Sequence, residues 1–390
     1  MVVDAERGFN LGSILTITFL GHMMVHTYML TFPMIMTFLV EEFGASYVIL
    51  GIIYTLSNLA FGFGAIGAGY LADRVGSKRL IALSAGGMGF SALLAGLTVN
   101  LETLTLSLFL MGAFASLYHP ASFTLISKAA RERGKAFGIH GIGGSVGLAL
   151  APLIAVPVAM EWGWRASFLA LALPGVLLAL FTLSASLGER LAPVPSPRGT
   201  MRSMLSPALL LALMIYACYG LAYRGVIGFL PSFLTAAGGL VVGGIFGNTI
   251  TLAFGAPGQA AGGLLTDRMG SKSFLIIVFS LLSVSLIMMA LSPSLLAFLF
   301  AFAAGFLLFA SQPATGTLLA ESSPLNVRGA AYGLGFMANF GVGAFGASIA
   351  GLVADRLSLE MVFPFMTIFL VLGVILLIFR RKVVPESRGE

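Results

Sequence analysis

The chain has 390 residues, 58% of them hydrophobic and only 9% charged, with a mean hydropathy of +1.01. Soluble domains carry roughly 25% charged residues, so this chain cannot coat a water-facing surface and must take lipid as its main solvent. Its single cysteine, Cys218, excludes an internal disulfide, and its formal net charge of +6 points either to nucleic acid or to membrane topology.

A membrane helix needs about 20 apolar residues, and twelve such stretches follow one another. They run over Leu11–Val40, Tyr47–Ala72, Arg79–Thr98, Thr103–Ser127, Gly134–Met160, Arg165–Leu187, Pro207–Ala236, Leu240–Thr266, Phe274–Leu291, Ser294–Ala320, Gly329–Ala354 and Met361–Phe379. Two boundaries carry no charge and rest on turn residues alone: Gly238-Gly239 and Ser292-Pro293. The N-terminal Met1–Asn10 is polar, and the apolar run after it is too long for a signal peptide, so no cleavable leader is expected.

With the N-terminus inside, only Arg165 and Arg356 fall outside and Arg224 falls within a helix. Every other one of the 21 Lys and Arg is then cytoplasmic. That bias puts both termini in the cytoplasm and explains the net charge as topology, with no nucleic-acid partner. Residues 189–205, with Pro193, Pro195 and Pro197, form a stiff linker. It separates a six-helix bundle at 1–188 from a second at 206–390.

The halves repeat. Gly69–Arg79, G-Y-L-A-D-R-V-G-S-K-R, returns as Gly263–Lys272, G-L-L-T-D-R-M-G-S-K. Arg133-Gly134-Lys135-Ala136-Phe137-Gly138 returns as Arg328-Gly329-Ala330-Ala331-Tyr332-Gly333, and Pro120-Ala121 as Pro313-Ala314. Such halves are commonly related by an axis along the membrane normal, with the substrate site between them near the midplane.

The loop G-x-L-A-D-R-x-G-x-K-R between the second and third predicted helices resembles the signature loop of the major facilitator superfamily. A degenerate copy between helices eight and nine is also typical of that family. The resemblance implies an all-α membrane protein of twelve helices in two pseudo-symmetric halves. It further implies that Gly69, Asp73, Arg74, Gly76, Lys78 and Arg79, with Asp267 and Arg268 in the second copy, latch the halves on the cytoplasmic side. A carboxylate beside a guanidinium and a helix N-terminus is favourable; the plainer reading is a solvated turn that ends the helices. Tyr118-His119-Pro120, with His140-Gly141-Ile142-Gly143-Gly144, resembles the fosmidomycin-resistance branch, whose members export drugs. Gly143, Gly147 and Ala151 before Pro152 resemble the family's antiporter signature, with Ala-Pro in place of Gly-Pro.

Arg224 is the most costly residue in the sequence. An arginine at the middle of a membrane helix costs ~2.5–3.5 kcal/mol on insertion scales, and such residues face a cavity or partner unless they snorkel. It lies seven residues before Pro231, as His26 lies seven before Pro33. The repeat therefore places His26 and Arg224 at equivalent positions across the central cavity. All four histidines, His22, His26, His119 and His140, fall in predicted helices, and no Asp or Glu falls clearly mid-membrane. Histidine titrates near neutrality, so His26 and His119 are the candidates for proton coupling, against the plainer reading of hydrogen-bonded core histidines. His22 and His26, four apart, share a helix face; with no Cys or carboxylate nearby, no metal is assigned. Tyr28, Tyr118, Tyr219, Tyr223, Gln312 and Asn339 join His22, His26, His119 and Arg224 as candidate substrate contacts. Small-residue stripes at Ala60/Gly64/Ala68, Gly143/Gly147/Ala151 and Gly343/Ala347/Gly351 allow close backbone approach. They read equally as sliding contacts between halves or as tight packing.

There is no nucleotide-binding loop of the G-x-x-x-x-G-K-[ST] type and no H-E-x-x-H motif, and no G-x-S-x-G nucleophile turn is expected, so neither an ATP-driven pump nor an enzyme is expected, and no cofactor is implied. The reading is a monomeric secondary transporter of the cell membrane that exports a small drug-like, amphipathic or anionic compound in exchange for protons. An organic-anion importer or exchanger is the alternative. A receptor or scaffold that keeps the fold without transport is the alternative from another class.

Overall fold

The computed structural model describes residues 9–130, 133–188, 206–323 and 328–383, and its regular elements are all helices. The first half comprises α1 (Leu11–Phe43), α2 (Tyr47–Val75), α3 (Ser77–Gly96), α4 (Leu101–Ser116), α5 (Tyr118–Ala129), α6 (Arg133–Trp162) and α7 (Trp164–Ser184). After the 189–205 linker, which lies outside the described residues, come α8 (Pro207–Gly239), a π-helical segment (Leu240–Gly247), α9 (Asn248–Ala253) and α10 (Gly255–Met269). They are followed by α11 (Ser271–Leu291), α12 (Ser294–Glu321) and α13 (Arg328–Phe336). A π turn (Met337–Gly341), a 3-10 turn (Val342–Ala344), α14 (Phe345–Arg356) and α15 (Val362–Val383) complete the chain.

The starts and stops have local causes. Asn10, Ser46, Asn100 and Ser206 cap α1, α2, α4 and α8 through their side-chain oxygens. The repeat is visible in the turns. Gly44 and Gly239 both have positive φ (59° and 75°), ending α1 and α8, and Gly76 and Gly270 (92° and 78°) end α2 and α10. These are conformations that a Cβ resists.

Eleven segments of the described chain are long and apolar enough to cross a membrane. One of them, Pro207–Met269, runs for 63 residues and contains the turn at Gly239, so length and composition alone do not divide it. Three expected helices are interrupted: the fourth at Leu117, between α4 and α5, the eighth at Phe254, between α9 and α10 after its π-helical start, and the eleventh by the π and 3-10 turns between α13 and α14. On α7, Leu169, Leu173, Leu177 and Leu180 are 40–63% exposed and lie at helical spacing, an outward apolar stripe that water would not tolerate.

The small-residue stripes divide between the two readings. Gly143 and Gly147 of α6 face the backbone oxygens of Phe19 and Met23, so they seat α6 on α1 inside the first half. Gly64 meets the Ser116 side chain and Gly343 the Gly220 backbone, also within halves. Close approach between halves falls to Gly51 against Ala347, Gly62 against Gly341, and Gly351 against Tyr47. Along the same seam the Asp355 carboxylate accepts from the backbone N–H groups of Tyr47 and Val48, both at 2.9 Å. Thr55 Oγ1 donates to the Ala344 carbonyl at 2.8 Å and meets Ser348 Oγ at 2.7 Å. A residue of the second half therefore caps the N-terminus of a first-half helix.

Candidate functional site

A cavity of about 210 Å³ lies between the halves. His22 and His26 of α1, Phe61 of α2 and His119 of α5 line one wall. Tyr216, Tyr223 and Arg224 of α8, Gln259, Gln312, Phe309, Phe336, Asn339 and Phe340 line the other.

The histidines form one cluster. His22 Nδ1 lies 2.8 Å from the His140 carbonyl oxygen. A carbonyl can only accept, so this nitrogen carries the proton and Nε2 is left with its lone pair. His26 Nε2 then donates to His22 Nε2 at 3.0 Å. The His140 ring stacks on His22 with centroids 4.1 Å apart and planes 7° apart, and its Nδ1 donates to the Thr18 carbonyl at 3.2 Å. His119 stands edge-on to His22, 5.0 Å between centroids. Both of its ring nitrogens are buried and have no partner among the described residues.

Arg224 is 6% exposed and so does not snorkel to a surface. Its Nε has no partner among the described residues. Its guanidinium carbon lies 4.7 Å from the Phe340 ring centroid and 5.4 Å from that of Tyr223, within reach of cation–π attraction. The described ion pairs, Arg165–Glu42 at 2.7 Å and Arg380–Glu321 at 3.6 Å, are remote from the cavity lining. Among the cavity side chains of the second half, Gln259 Nε2 donates to Gln312 Oε1 at 2.9 Å.

Seven of the ten expected substrate contacts line the cavity: His22, His26, His119, Tyr223, Arg224, Gln312 and Asn339. Tyr28, Tyr118 and Tyr219 do not. Each is about 1% exposed, and their hydroxyls donate to the carbonyls of Leu171, Thr18 and Leu308. Their polar ends are spent on interhelical bonds, which is what a tyrosine buried among helices needs. The sequence reading passed over the aromatic lining, Phe61, Phe123, Phe309, Phe336 and Phe340. In a chain with 32 phenylalanines nothing marks these from lipid-facing ones. Of the expected latch, Asp267 and Arg268 are exposed at the end of α10, with Arg74 and Arg79 exposed at the matching turn. The Asp73 side chain lies outside the described ones, and the burial of Gly69 is likewise not described.

The ligand-type nitrogens of His22, His26 and His119 lie within 4.8 Å of one another, close enough to converge on a small ion. Arg224 faces the same cavity and, among the described residues, no carboxylate belongs to the group, so the local charge favours an anion over a divalent cation. Gly143-Gly144-Ser145-Val146-Gly147 matches G-x-S-x-G, but it lies inside α6 and not at the strand-to-helix turn that exposes a serine nucleophile.

The family model described as Major Facilitator Superfamily matches residues 14–256 and 239–390. A "Probable 4-methylmuconolactone transporter" of Cupriavidus pinatubonensis is 26% identical over 379 residues, 92% of this chain and 86% of that protein. "Multidrug resistance protein MdtG" of Klebsiella pneumoniae is 29% identical over 360 residues, covering 84% of this chain and 83% of the relative. Its Escherichia coli counterpart is 30% identical over 305 residues, 72% and 71% of the two chains. Among solved structures, a bacterial homologue of the human lysosomal transporter Spinster, inward-facing and occupied, aligns with a TM-score of 0.81 at 18% identity over 97% of this chain and 98% of its own. A D-xylose–proton symporter aligns equally well, TM-score 0.81 at 16% identity over 97% and 99% of the chains.

Proposed function

The chain belongs to the Major Facilitator Superfamily, an integral membrane transporter and not an enzyme, and from that premise we propose that it carries a small organic anion together with protons by alternating access. The observation that supports this reading is the cavity itself, with a fixed cation on one wall and a cluster of titratable imidazoles on the other. A guanidinium stays charged at any pH a protein meets. Protonating His26 or His119 adds positive charge in the same low-dielectric space, which repulsion from Arg224 opposes until an anion arrives. Proton and anion therefore bind together, and that order of events belongs to cotransport.

Exchange of protons for an exported drug-like amphipath is the second reading. The aromatic lining and the multidrug-resistance relatives favour it, and it needs a proton site that the cargo displaces, for which His119 is the candidate. In either case we read Pro207–Met269 as crossing twice around Gly239, giving twelve helices, both termini in the cytoplasm and halves at 1–188 and 206–390. The protein then acts as a monomer in the cell membrane, with Asp73 and Asp267 at the inner face. Asp73→Asn at equal expression is expected to slow transport; an unchanged rate would remove the latch.

The deciding experiment is flux into liposomes holding the purified chain, with an imposed pH gradient and radiolabelled aromatic carboxylates. Cotransport predicts accumulation on the side of higher pH. Accumulation on the acidic side establishes exchange, and no gradient-driven flux of any carboxylate sinks the anion reading.

A further inference from the structure

Arg224 Nε and both nitrogens of His119 are buried polar atoms without partners among the described residues, and they sit on opposite walls of one cavity. Buried polar groups are almost always satisfied, so these two ask for a ligand that serves both. The surface between them is aromatic. The Arg224 guanidinium carbon lies over Phe340, 4.7 Å from its centroid. Phe336 stacks beside Phe340 at 5.6 Å with planes 15° apart, and His119 stacks on Phe336 at 6.0 Å and 23°. Phe61 closes the edge, T-shaped to Phe340 at 4.9 Å and to His119 at 5.7 Å. Three nearly parallel, offset-stacked rings make an aromatic wall that runs from the cation to the open imidazole.

We propose, building on the anion reading above, that the cargo is a flat, largely apolar monoanion with a second hydrogen-bonding group at its far end. The carboxylate lies on Arg224, the planar body on Phe340 and Phe336, and the far group on His119. His119 is then a specificity-determining residue. It differs from His22, His26 and His140, each of which has at least one ring nitrogen bonded within the protein. A neutral imidazole offers one donor and one acceptor, so a hydroxyl suits it in either tautomer.

The test is calorimetric titration of the purified full chain with 4-hydroxycinnamate, cinnamate and 4-hydroxycinnamamide. The wild type is expected to bind 4-hydroxycinnamate roughly tenfold more tightly than cinnamate, the size of one net hydrogen bond, and not to bind the amide. His119→Phe keeps the stacked ring and is expected to erase the difference while still binding cinnamate. His119→Gln, which restores hydrogen-bonding capacity, should recover part of it, and monodisperse elution of each variant checks the fold. Equal binding of the two acids by the wild type, or a preference that survives in His119→Phe, overturns the role of His119 while leaving the anion reading intact. An amide that binds as well as the acid, or no binding of either acid, overturns the anion reading and this proposal with it.

Discussion

The two walls of the cavity are built from equivalent parts of a repeated chain and have opposite chemistry. On the first, α1 brings His22 and His26 against His140 and His119, and three of the four rings bond to one another or to backbone carbonyls. On the second, α8 brings Arg224 at the place that His26 holds on α1, and it stands over aromatic faces with Nε unpartnered among the described residues. One wall can change its charge and the other cannot. Had both positions kept histidine, nothing would hold an anion at high pH. Had both become arginine, two permanent charges would face each other in a poorly screened space. Under the proposed function, the difference between duplicated positions is what would let one cavity sense both a proton and a cargo.

The largest expected effect lies on the fixed side of the cavity. Arg224→Gln removes a charge-assisted contact worth about 1.5–3 kcal/mol, and anion binding should weaken by roughly 10–100-fold, read by titration calorimetry. Arg224→Lys should recover only part, because a point charge replaces a planar fork. Normal affinity in Arg224→Gln would mean that the cargo does not use that wall.

The titratable side gives the next largest effect. In the wild type, affinity for a carboxylate should rise as pH falls through the histidine range, by at most about tenfold per pH unit for one linked proton. In His26→Gln the slope should flatten while the high-pH affinity stays. A slope that is unchanged in both His26→Gln and His119→Gln would take proton coupling away from this wall.

Under the proposed alternating access, opening of the seam between α2 and α14 would expose both walls. Asp355 neutralises the N-terminal end of α2 from the other half, a cap worth about 0.5–2 kcal/mol. Asp355→Ala should shift the population toward a form open at that end. Faster labelling of a cysteine placed at Thr55, in a Cys218→Ser background, measures the shift, and an unchanged rate would show that the seam is held by the Gly51, Gly62 and Gly351 contacts alone.

The smallest effect separates two tyrosines one turn apart on α8. Tyr219 donates to the Leu308 carbonyl at 2.8 Å, so Tyr219→Phe should cost stability by about 0.5–1.5 kcal/mol and spare affinity. Tyr223 faces the cavity, so Tyr223→Phe should spare the melting temperature and alter cargo affinity. The reverse pattern would exchange their roles.

The apolar runs and the glycines that end them are local properties, so most membrane-length helices are legible in the sequence, while the breaks at Leu117, Phe254 and within 337–344 are not. Gly76 and Gly270 take the same left-handed turn in each half, and the repeat of residues around them announced it. The sequence also marked Arg224 and the histidines, because a charged or titratable group in an apolar run is costly enough to need a reason. Which polar groups the cavity receives is set by how the helices pack. Tyr28, Tyr118 and Tyr219 look no different from Tyr223 in the sequence; a tyrosine in a helix points to a neighbouring carbonyl or to a cavity according to how that helix is turned. The same holds for Gly143 and Gly147, which seat α6 on α1, while Gly51 and Gly62 close the seam between halves. Small residues permit close approach, but the partner that approaches is chosen by packing many residues away. His140 meets His22 across 118 positions of chain, and Phe336 meets His119 from the opposite half. No local pattern records either contact, because the free energy that sets them belongs to the assembled helices.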